Sequence, residues 1–328
     1  MKSSHRGFRP GNGRLDGDRM NDIALSSRDR QTKTSFATGK TFCLFLFCMS
    51  GVAMTETSHA DDAHSEVDKS QYSLFNPTPD SALRPFVTDR PTKSNSPYTV
   101  DAGRFQYEMD LYNAVTTSAQ GQTTYFGQTL DPVLKLGLTS QIDFEFQPGG
   151  LVNARTLDHA SGQQVSHLYG FGDTVLRTKF NLFGDDGGDQ AMALILYGKL
   201  PSARAGLGNG LVEGGAILPW SISLPQDFTL LFMPEIDILK NNNDSRRHAN
   251  FVNLINISHP VPFVKDLTFA AEFFTSVSAD RGTPNIYTLD FALSYIVVKD
   301  LQLDGGINIG LNRDAPNLQL YAGISQRF

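Results

Sequence analysis

Charged residues that share one face of a strand are the part of this 328-residue chain most able to do chemistry. They occur mainly as pairs two positions apart: Glu108 and Asp110, Asp143 and Glu145, Arg177 and Lys179, with Asp173 and Lys199 as single residues. Residues i and i+2 of a strand point to the same side. Around an enclosed interior, such side chains either pair with one another or contact a charged solute. Arg177 and Lys179 would then be the natural partners of a solute carboxylate.

The elements that would position these residues are β-strands. From Arg104 onward, apolar and polar residues alternate, and this period of two is typical of strands with one apolar and one polar face. The pattern predicts about twelve strands, most of them long enough to cross a membrane when tilted. They are expected at residues 104–117, 123–138, 141–153, 170–183, 190–200, 211–224, 228–240, 248–261, 267–279, 285–298, 301–312 and 317–328.

The chain ends inside its last strand, on the aromatic residue Phe328, as outer-membrane barrels do. Short connections alternate with a set that includes the longest ones, predicted at 151–169 and 202–210. A soluble β-sandwich would show the same alternation, but the polar faces here are rich in charge, unlike the surface of a soluble sheet. We therefore predict an all-β fold, a transmembrane antiparallel up-and-down β-barrel over residues 104–328. The alternating connections and the even strand number predict that both termini lie in the periplasm. Phe328 is predicted to be the assembly signal.

The first 60 residues predict an N-terminal extension and a signal peptide. An apolar run at 41–54 precedes Ser58-His59-Ala60, a small-x-small cleavage pattern, and Met20 is an alternative start. Cleavage would remove Cys43 and Cys48, the two cysteines of the chain. Residues 1–60 hold nine basic and five acidic residues, so 19 basic and 29 acidic residues remain, a net charge of −10. A chain this acidic is not expected to bind nucleic acid.

Residues 61–103 are polar, contain several prolines and lack strand periodicity. Because they precede the first strand, they are expected to begin in the periplasm. Two arrangements of residues 85–96 remain open: they fold into the barrel as a small plug, or they pack beneath its rim on the way to the first strand.

No cofactor, metal site or catalytic residue is predicted. His159 and His167 are placed in the predicted loop at 151–169, and no histidine pair has the helical i,i+4 spacing of a zinc site. Ser166 precedes His167, but the nucleophile-elbow motif is absent. The glycine-rich stretch 206–210 does not complete a phosphate-binding motif and is interpreted as an exposed loop.

Two motifs ahead of the first strand, Thr88-Asp89-Arg90-Pro91 and Ser96-Pro97-Tyr98, carry a family resemblance. Together with Gly172-Asp173-Thr174 and Lys199-Leu200-Pro201, they make residues 84–328 resemble the MetA-pathway phenol-degradation family of outer-membrane proteins. The resemblance implies a barrel transporter, associated in some members with uptake of aromatic compounds, and supplies no catalytic residues.

The sequence thus favours a channel for passive uptake of small solutes, aromatic or hydrophobic ones by family resemblance. Its expected partners are outer-membrane lipid, a small-molecule solute, and the barrel-assembly machinery through the C-terminal strand. The rival hypothesis is a closed barrel with a structural, adhesive or lipid-hydrolysing role. How far the lumen is filled separates these two classes.

Overall fold

The computed structural model describes residues 68–241 and 244–328, so the predicted signal peptide with Cys43 and Cys48 lies outside the described residues. A short 3-10 helix spans Asp80–Ala82. No described helix is long and apolar enough to cross a membrane. The β-segments are β1 (Phe105–Ala119), β2 (Gln122–Thr129), β3 (Asp131–Gly137), β4 (Ile142–Gln147), β5 (Leu151–Asp158), β6 (Gln164–Phe171), β7 (Thr174–Phe183), β8 (Gln190–Leu200), β9 (Glu213–Ile217), β10 (Trp220–Ser223), β11 (Thr229–Lys240), β12 (Arg247–Pro260), β13 (Leu267–Ser278), β14 (Ile286–Val298), β15 (Leu301–Gly310) and β16 (Leu318–Arg327).

These segments form a closed antiparallel barrel of twelve strands. Four barrel strands are each interrupted once, so that β2 and β3, β4 and β5, β6 and β7, and β9 and β10 are halves of single strands. At the first interruption Leu130 has a positive φ of 52°, which breaks the ladder. Pairing of β16 with β1, from Gln106 opposite Arg327 to Thr116 opposite Leu318, closes the ring. The predicted fold class and strand number are confirmed.

The connections divide the barrel into two ends. One end, called here the turn rim, carries the connections 138–141, 184–189, 224–228, 261–266 and 299–300, together with Phe328. The opposite end, called here the loop rim, carries 120–121, 159–163, 201–212, 241–246, 279–285 and 311–317. The longest connection of the described chain, 201–212, lies at the loop rim and contains the predicted glycine-rich loop.

The predicted long loop at 151–169 is wrong. Most of it is strand, β5 and β6, joined by the short turn 159–163. His167 therefore lies on β6, exposed, with its Nε2 3.0 Å from Oδ1 of Asn153 on β5. Near the loop rim, Arg155 and His167 take opposed outward positions on these two strands. The alternation that marks a membrane strand is lost there although the backbone pairing continues.

Aromatic side chains ring the turn rim. Phe328 stacks on Phe105 with ring centroids 6.1 Å apart, and its N–H donates to the carbonyl oxygen of Phe105 at 2.8 Å. Trp220 on β10 faces Phe232 on β11, with a centroid distance of 6.2 Å. Amphipathic aromatic rings favour the boundary between lipid and water. The last residue of the chain is thus fixed within this ring.

The buried core lies in the lumen and has two different sides. On β8, β9, β11 and β12, inward-facing apolar side chains pack together: Ile195, Ile217, Met233, Val252 and Leu254. On β1, β3, β4 and β7, the inward-facing residues are charged and include Glu108, Lys135, Glu145 and Lys179, all buried. The lumen therefore has an apolar wall on one side and a wall of ion pairs on the other.

Candidate functional site

The central feature of the lumen is residues 84–101, called here the lumenal segment. They precede β1 in the chain and contact inward-facing residues of strands all around the barrel. On one side Asn181 of β7 donates to the carbonyl oxygen of Pro97 at 3.0 Å. On the other side the N–H of Asn95 lies 3.1 Å from the sulfur of Met233 on β11. The segment therefore lies inside the barrel, between its apolar and its charged wall.

Asp89 anchors the segment to the charged wall. Its carboxylate accepts hydrogen bonds from Lys135 Nζ at 2.5 Å and Lys179 Nζ at 2.9 Å. Glu108 lies 2.5 Å from Lys135 and accepts hydrogen bonds from the backbone N–H groups of Asp89 and Arg90. Burial raises the pKa of the Asp89 carboxyl, but the two lysines outweigh this effect and hold it well below its usual range. Asp89 is therefore a carboxylate in the docked segment.

Arg90 points to the opposite side of the same turn and binds the wall where β16, β15 and β1 meet. Its Nη2 donates to Oδ1 of Asp304 at 2.7 Å and its Nε donates to the same carboxylate, while Nη1 donates to Asp110. Gly323 on β16 makes this approach possible, because a Cβ there would lie 2.1 Å from Nη2 of Arg90. Neighbouring residues of opposite charge thus hold the segment from both sides.

Lys93 anchors the next turn. Its ammonium group donates to Asp290 and Thr288 on β14, both at 2.7 Å, and lies 4.5 Å from the centre of the Phe274 ring. Glu272 on β13 accepts hydrogen bonds from the backbone N–H groups of Lys93 and Ser94. Burial lowers the pKa of Lys93 despite these carboxylates. Glu272 and Asp290 are directly opposite each other on β13 and β14. One carboxylate binds the backbone of Lys93 and the other binds its ammonium group.

The two ends of the segment are fixed at the turn rim. Arg84 donates to Asp186 at 2.8 Å and to the carbonyl oxygen of Ser140 at 2.5 Å. Arg327 binds Asp101 at 3.2 Å and Asp300 at 2.5 Å. These contacts attach the segment to the connections 138–141, 184–189 and 299–300. Every part of the segment that carries charge is therefore paired with the barrel.

The predicted site residues do not form one site. Lys179 is 1% exposed and bound to Asp89, with Glu145 3.5 Å away, and Asp143 accepts a hydrogen bond from the N–H of Val100. Glu108 and Asp110 likewise bind the segment. Lys199 forms a separate cluster with Asp173 at 2.9 Å and Glu213 at 3.0 Å.

Arg177 stands apart from these pairs although it shares the inward face of β7 with Lys179. Its side chain is 22% exposed, donates to Gln147 at 3.0 Å and lies 3.7 Å from Glu145. Of the proposed carboxylate-binding pair, only Arg177 is accessible from the loop side of the lumen. The two residues therefore cannot clamp one solute carboxylate in this arrangement.

This difference gives a direct test with two alanine substitutions on one strand face. Lys179→Ala leaves Asp89 and Glu145 buried beside a vacant position and should loosen the lumenal segment, since removing one partner of a buried pair costs about 3–5 kcal/mol. Arg177→Ala should leave the segment docked, because the partners of Arg177 are Gln147 and Glu145 on β4. Limited proteolysis of the folded barrels within residues 84–101 measures the difference. Equal protection of both variants would contradict the anchoring role of Lys179.

Several functional candidates gave little or no sequence signal. Lys135 lies in the alternating run Leu134-Lys135-Leu136, and its inward phase alone could have suggested it. Asp89 and Arg90 stand out as a charged pair, but their partners are up to 214 positions away in the chain. Such pairing depends on strand register, which the sequence does not reveal.

A cavity of about 320 Å³ remains beside the segment, toward the turn rim. Its barrel wall is formed by β11 to β15 and consists of small or uncharged side chains, among them Ser258, Thr268, Ala270, Ala292 and Ser294. The charged residues that line this cavity are Asp89 and Arg90, and both belong to the lumenal segment.

Carboxylates outnumber cations on the inward faces of the described strands. The inward carboxylates are Glu108, Asp110, Asp131, Asp143, Glu145, Glu213, Glu235, Asp237, Glu272, Asp290 and Asp304. The inward cations are Lys135, Arg177, Lys179, Lys199 and Arg327. Within residues 68–241 and 244–328, no group of three or more His, Cys, Asp or Glu side chains is arranged to hold a metal ion.

Comparison with known proteins agrees with this architecture. The family model described as "Putative MetA-pathway of phenol degradation" matches residues 88–328. An outer membrane channel from Pseudomonas putida F1 has a similar structure, with a TM-score of 0.51 and 15% sequence identity over 69% of this chain and 95% of that one. The NanC porin is less similar, with a TM-score of 0.43 and 10% identity over 68% of this chain and 98% of that one. No match was found among curated proteins.

These findings establish an outer-membrane β-barrel fold of the channel or porin type. The predicted resemblance is confirmed. Because the family match covers most of the sequence, including the Asp89–Arg90 turn and all the barrel strands, the chain belongs to the MetA-pathway phenol-degradation family.

Proposed function

We propose that this protein is a passive outer-membrane channel for small neutral or cationic solutes, including aromatic ones, in which residues 84–101 act as a plug. Both termini and the turn rim face the periplasm, and the loop rim faces the outside. The observation that carries the proposal is the lumenal segment itself. It is held inside a closed barrel by ion pairs and leaves beside it a cavity of about 320 Å³ whose barrel wall is uncharged.

The lining of that cavity supports the proposal that the solute is small and carries few polar groups. Hydroxyl-bearing and small apolar side chains such as Thr268 and Ala292 offer hydrogen bonds without fixed charge. Such a wall suits a compact molecule with an apolar ring and one or two polar groups. Barrel walls select by radius and by the groups that line them. This pattern supports the family-implied aromatic substrates, but as neutral molecules.

The charge of the lumen argues against aromatic acids. Inward carboxylates exceed inward cations, and Lys179, half of the carboxylate-binding pair predicted from the sequence, is bound to Asp89. Arg177, the other half of that pair, already lies 3.7 Å from the carboxylate of Glu145. In a narrow lumen with low-dielectric walls, this excess of negative charge repels anions and attracts cations.

The channel proposal assigns no catalytic role to the barrel. It also keeps Phe328 as the recognition point for the assembly machinery, since its ring lies 60% exposed at the turn rim, beside Phe105 and Tyr107. Removing this ring by Phe328→Ala would leave the final strand without its aromatic end.

Single-channel conductance of the refolded protein in a planar bilayer tests the proposal. We expect small discrete openings. In a potassium chloride gradient, the reversal potential should lie toward the equilibrium potential of potassium, because the acidic lumen favours cations. Swelling of proteoliposomes should be faster with phenol than with benzoate. A folded barrel that stays silent and admits neither solute would instead favour the closed-barrel hypothesis. An anion preference would contradict the proposed selectivity.

A further inference from the structure

The outward faces of the described strands carry charge at one end only. Apart from Asp158, which binds Ser161 at the loop-rim end of β5, every carboxylate of the described strands faces the lumen. Three strand cations face outward: Arg155 on β5, Lys240 on β11 and Arg247 on β12. All three lie near the loop rim. Lys240 and Arg247 are directly opposite each other, in phase with the exposed apolar residues Ile238 and Phe251. The lipid-facing surface is therefore positive where it leaves the apolar belt, and uncharged along the rest of the strands.

Arg155 lies within a preformed groove. Its cross-strand neighbours are Tyr125 on β2 and His167 on β6. Tyr112 and Tyr169 complete a groove of about 480 Å³, called here the tyrosine groove. The three tyrosines are about half exposed, at 54%, 49% and 49% for Tyr112, Tyr125 and Tyr169. The groove thus combines one guanidinium with three amphipathic rings on the outside of the barrel.

The height of the groove places it at the edge of the bilayer. Arg155 is opposite Tyr125, which is opposite Thr116 on β1. Thr116 is in turn opposite Leu318, the first residue of β16. From Phe328 to Leu318 the strand rises roughly 25 Å along the barrel axis, the height of the apolar band of such barrels. Arg155 is therefore level with lipid headgroups, and Tyr112 is near the ends of the acyl chains.

The chemistry of the groove matches a phosphorylated glycolipid. A guanidinium forms bidentate hydrogen bonds with phosphate, and the rings of Tyr125 and Tyr169 offer apolar faces and hydroxyl groups to a sugar. No strand carboxylate faces outward to compete for the arginine. We propose that the tyrosine groove binds the phosphorylated sugar headgroup of an outer-leaflet glycolipid, with Arg155 contacting the phosphate. This inference rests on the proposed orientation of the channel, with its loop rim outside.

Titration of the refolded barrel in detergent with bisphosphorylated lipid A tests the inference. We expect lipid A to raise the melting temperature of the native chain, and Arg155→Ala to weaken the apparent affinity about tenfold or more, as expected for loss of a charge-assisted hydrogen bond. Arg155→Lys should keep part of the affinity. The matched control is Arg281→Ala, at an exposed arginine in the 279–285 connection, which should bind like the native chain.

Three outcomes would overturn the inference: unchanged affinity in Arg155→Ala, an equal loss in Arg281→Ala, or equal stabilisation by inorganic phosphate or dephosphorylated lipid A. Conductance of Arg155→Ala separates this inference from the channel proposal, because Arg155 faces away from the lumen and the variant should conduct normally. A barrel that binds lipid A through Arg155 yet never opens contradicts only the channel.

Discussion

Replacing Asp89 by asparagine is expected to release the lumenal segment. The substitution keeps the size of the side chain but removes the charge that Lys135 and Lys179 share. Breaking a buried ion pair from one side costs about 3–5 kcal/mol, which corresponds to a hundredfold or greater rise in the population of the undocked segment. In bilayers, Asp89→Asn should open more often or to a larger conductance than the native chain.

A cysteine reporter measures the same release without electrical recording. The chain has cysteines only at positions 43 and 48, within the predicted signal peptide, so Ser94→Cys would be the single thiol after cleavage. Ser94 is buried against Glu272, and its labelling by a membrane-impermeant maleimide should be slow. Adding Asp89→Asn should accelerate labelling at least tenfold.

Asp80→Asn is the matched control for this experiment. Asp80 also pairs with an arginine, Arg104 at 2.6 Å, but its side chain is 82% exposed, so the loss of its charge should cost little. Labelling at Ser94→Cys should stay slow in this background. If Asp89→Asn and Asp80→Asn gave the same labelling rate, Asp89 would not hold the segment in place.

The barrel could be predicted from sequence because its signal is local. Alternation within each strand, as in residues 301–312, needs no knowledge of neighbours, and the ring of twelve strands follows from counting. The errors occur where local alternation no longer reports burial. In β5 and β6, Arg155 and His167 take lipid-side positions near the loop rim, so two paired strands were predicted as one loop.

The candidate site was less predictable, for a reason of geometry. Arg177 and Lys179 share a face, as expected, yet a rise of two residues along β7 separates an accessible side chain from one bound to Asp89. That difference depends on where the lumenal segment lies, and the segment has no periodicity of its own. The Asp89–Arg90 pair indicated importance, but its receptors on β1, β3, β7 and β15 become visible only when the strand register is known.

Deleting residues 84–96 should have the largest effect on the lumen. The deleted stretch contains Arg84, Arg90 and Lys93 but a single carboxylate, Asp89. Its loss both widens the path and leaves Asp290 and Asp304 without their cations. We expect a several-fold larger conductance and a stronger preference for cations, both measured in planar bilayers, because the field in the lumen becomes more negative.

A glycine–serine sequence of the same length in place of residues 84–96 is the control that separates contacts from chain length. If the ion pairs hold the plug, this variant should conduct like the deletion, since a flexible chain makes no such pairs. Conductance and selectivity equal to those of the native chain in both variants would contradict a plug. Asp89→Asn removes one anchor and keeps the native backbone, so it tests the same displacement with every other charge of the segment still present. A conductance that is higher in Asp89→Asn than in the native chain, and higher still and about equal in the replacement and the deletion, would show that the ion pairs of the segment set the resistance of the lumen.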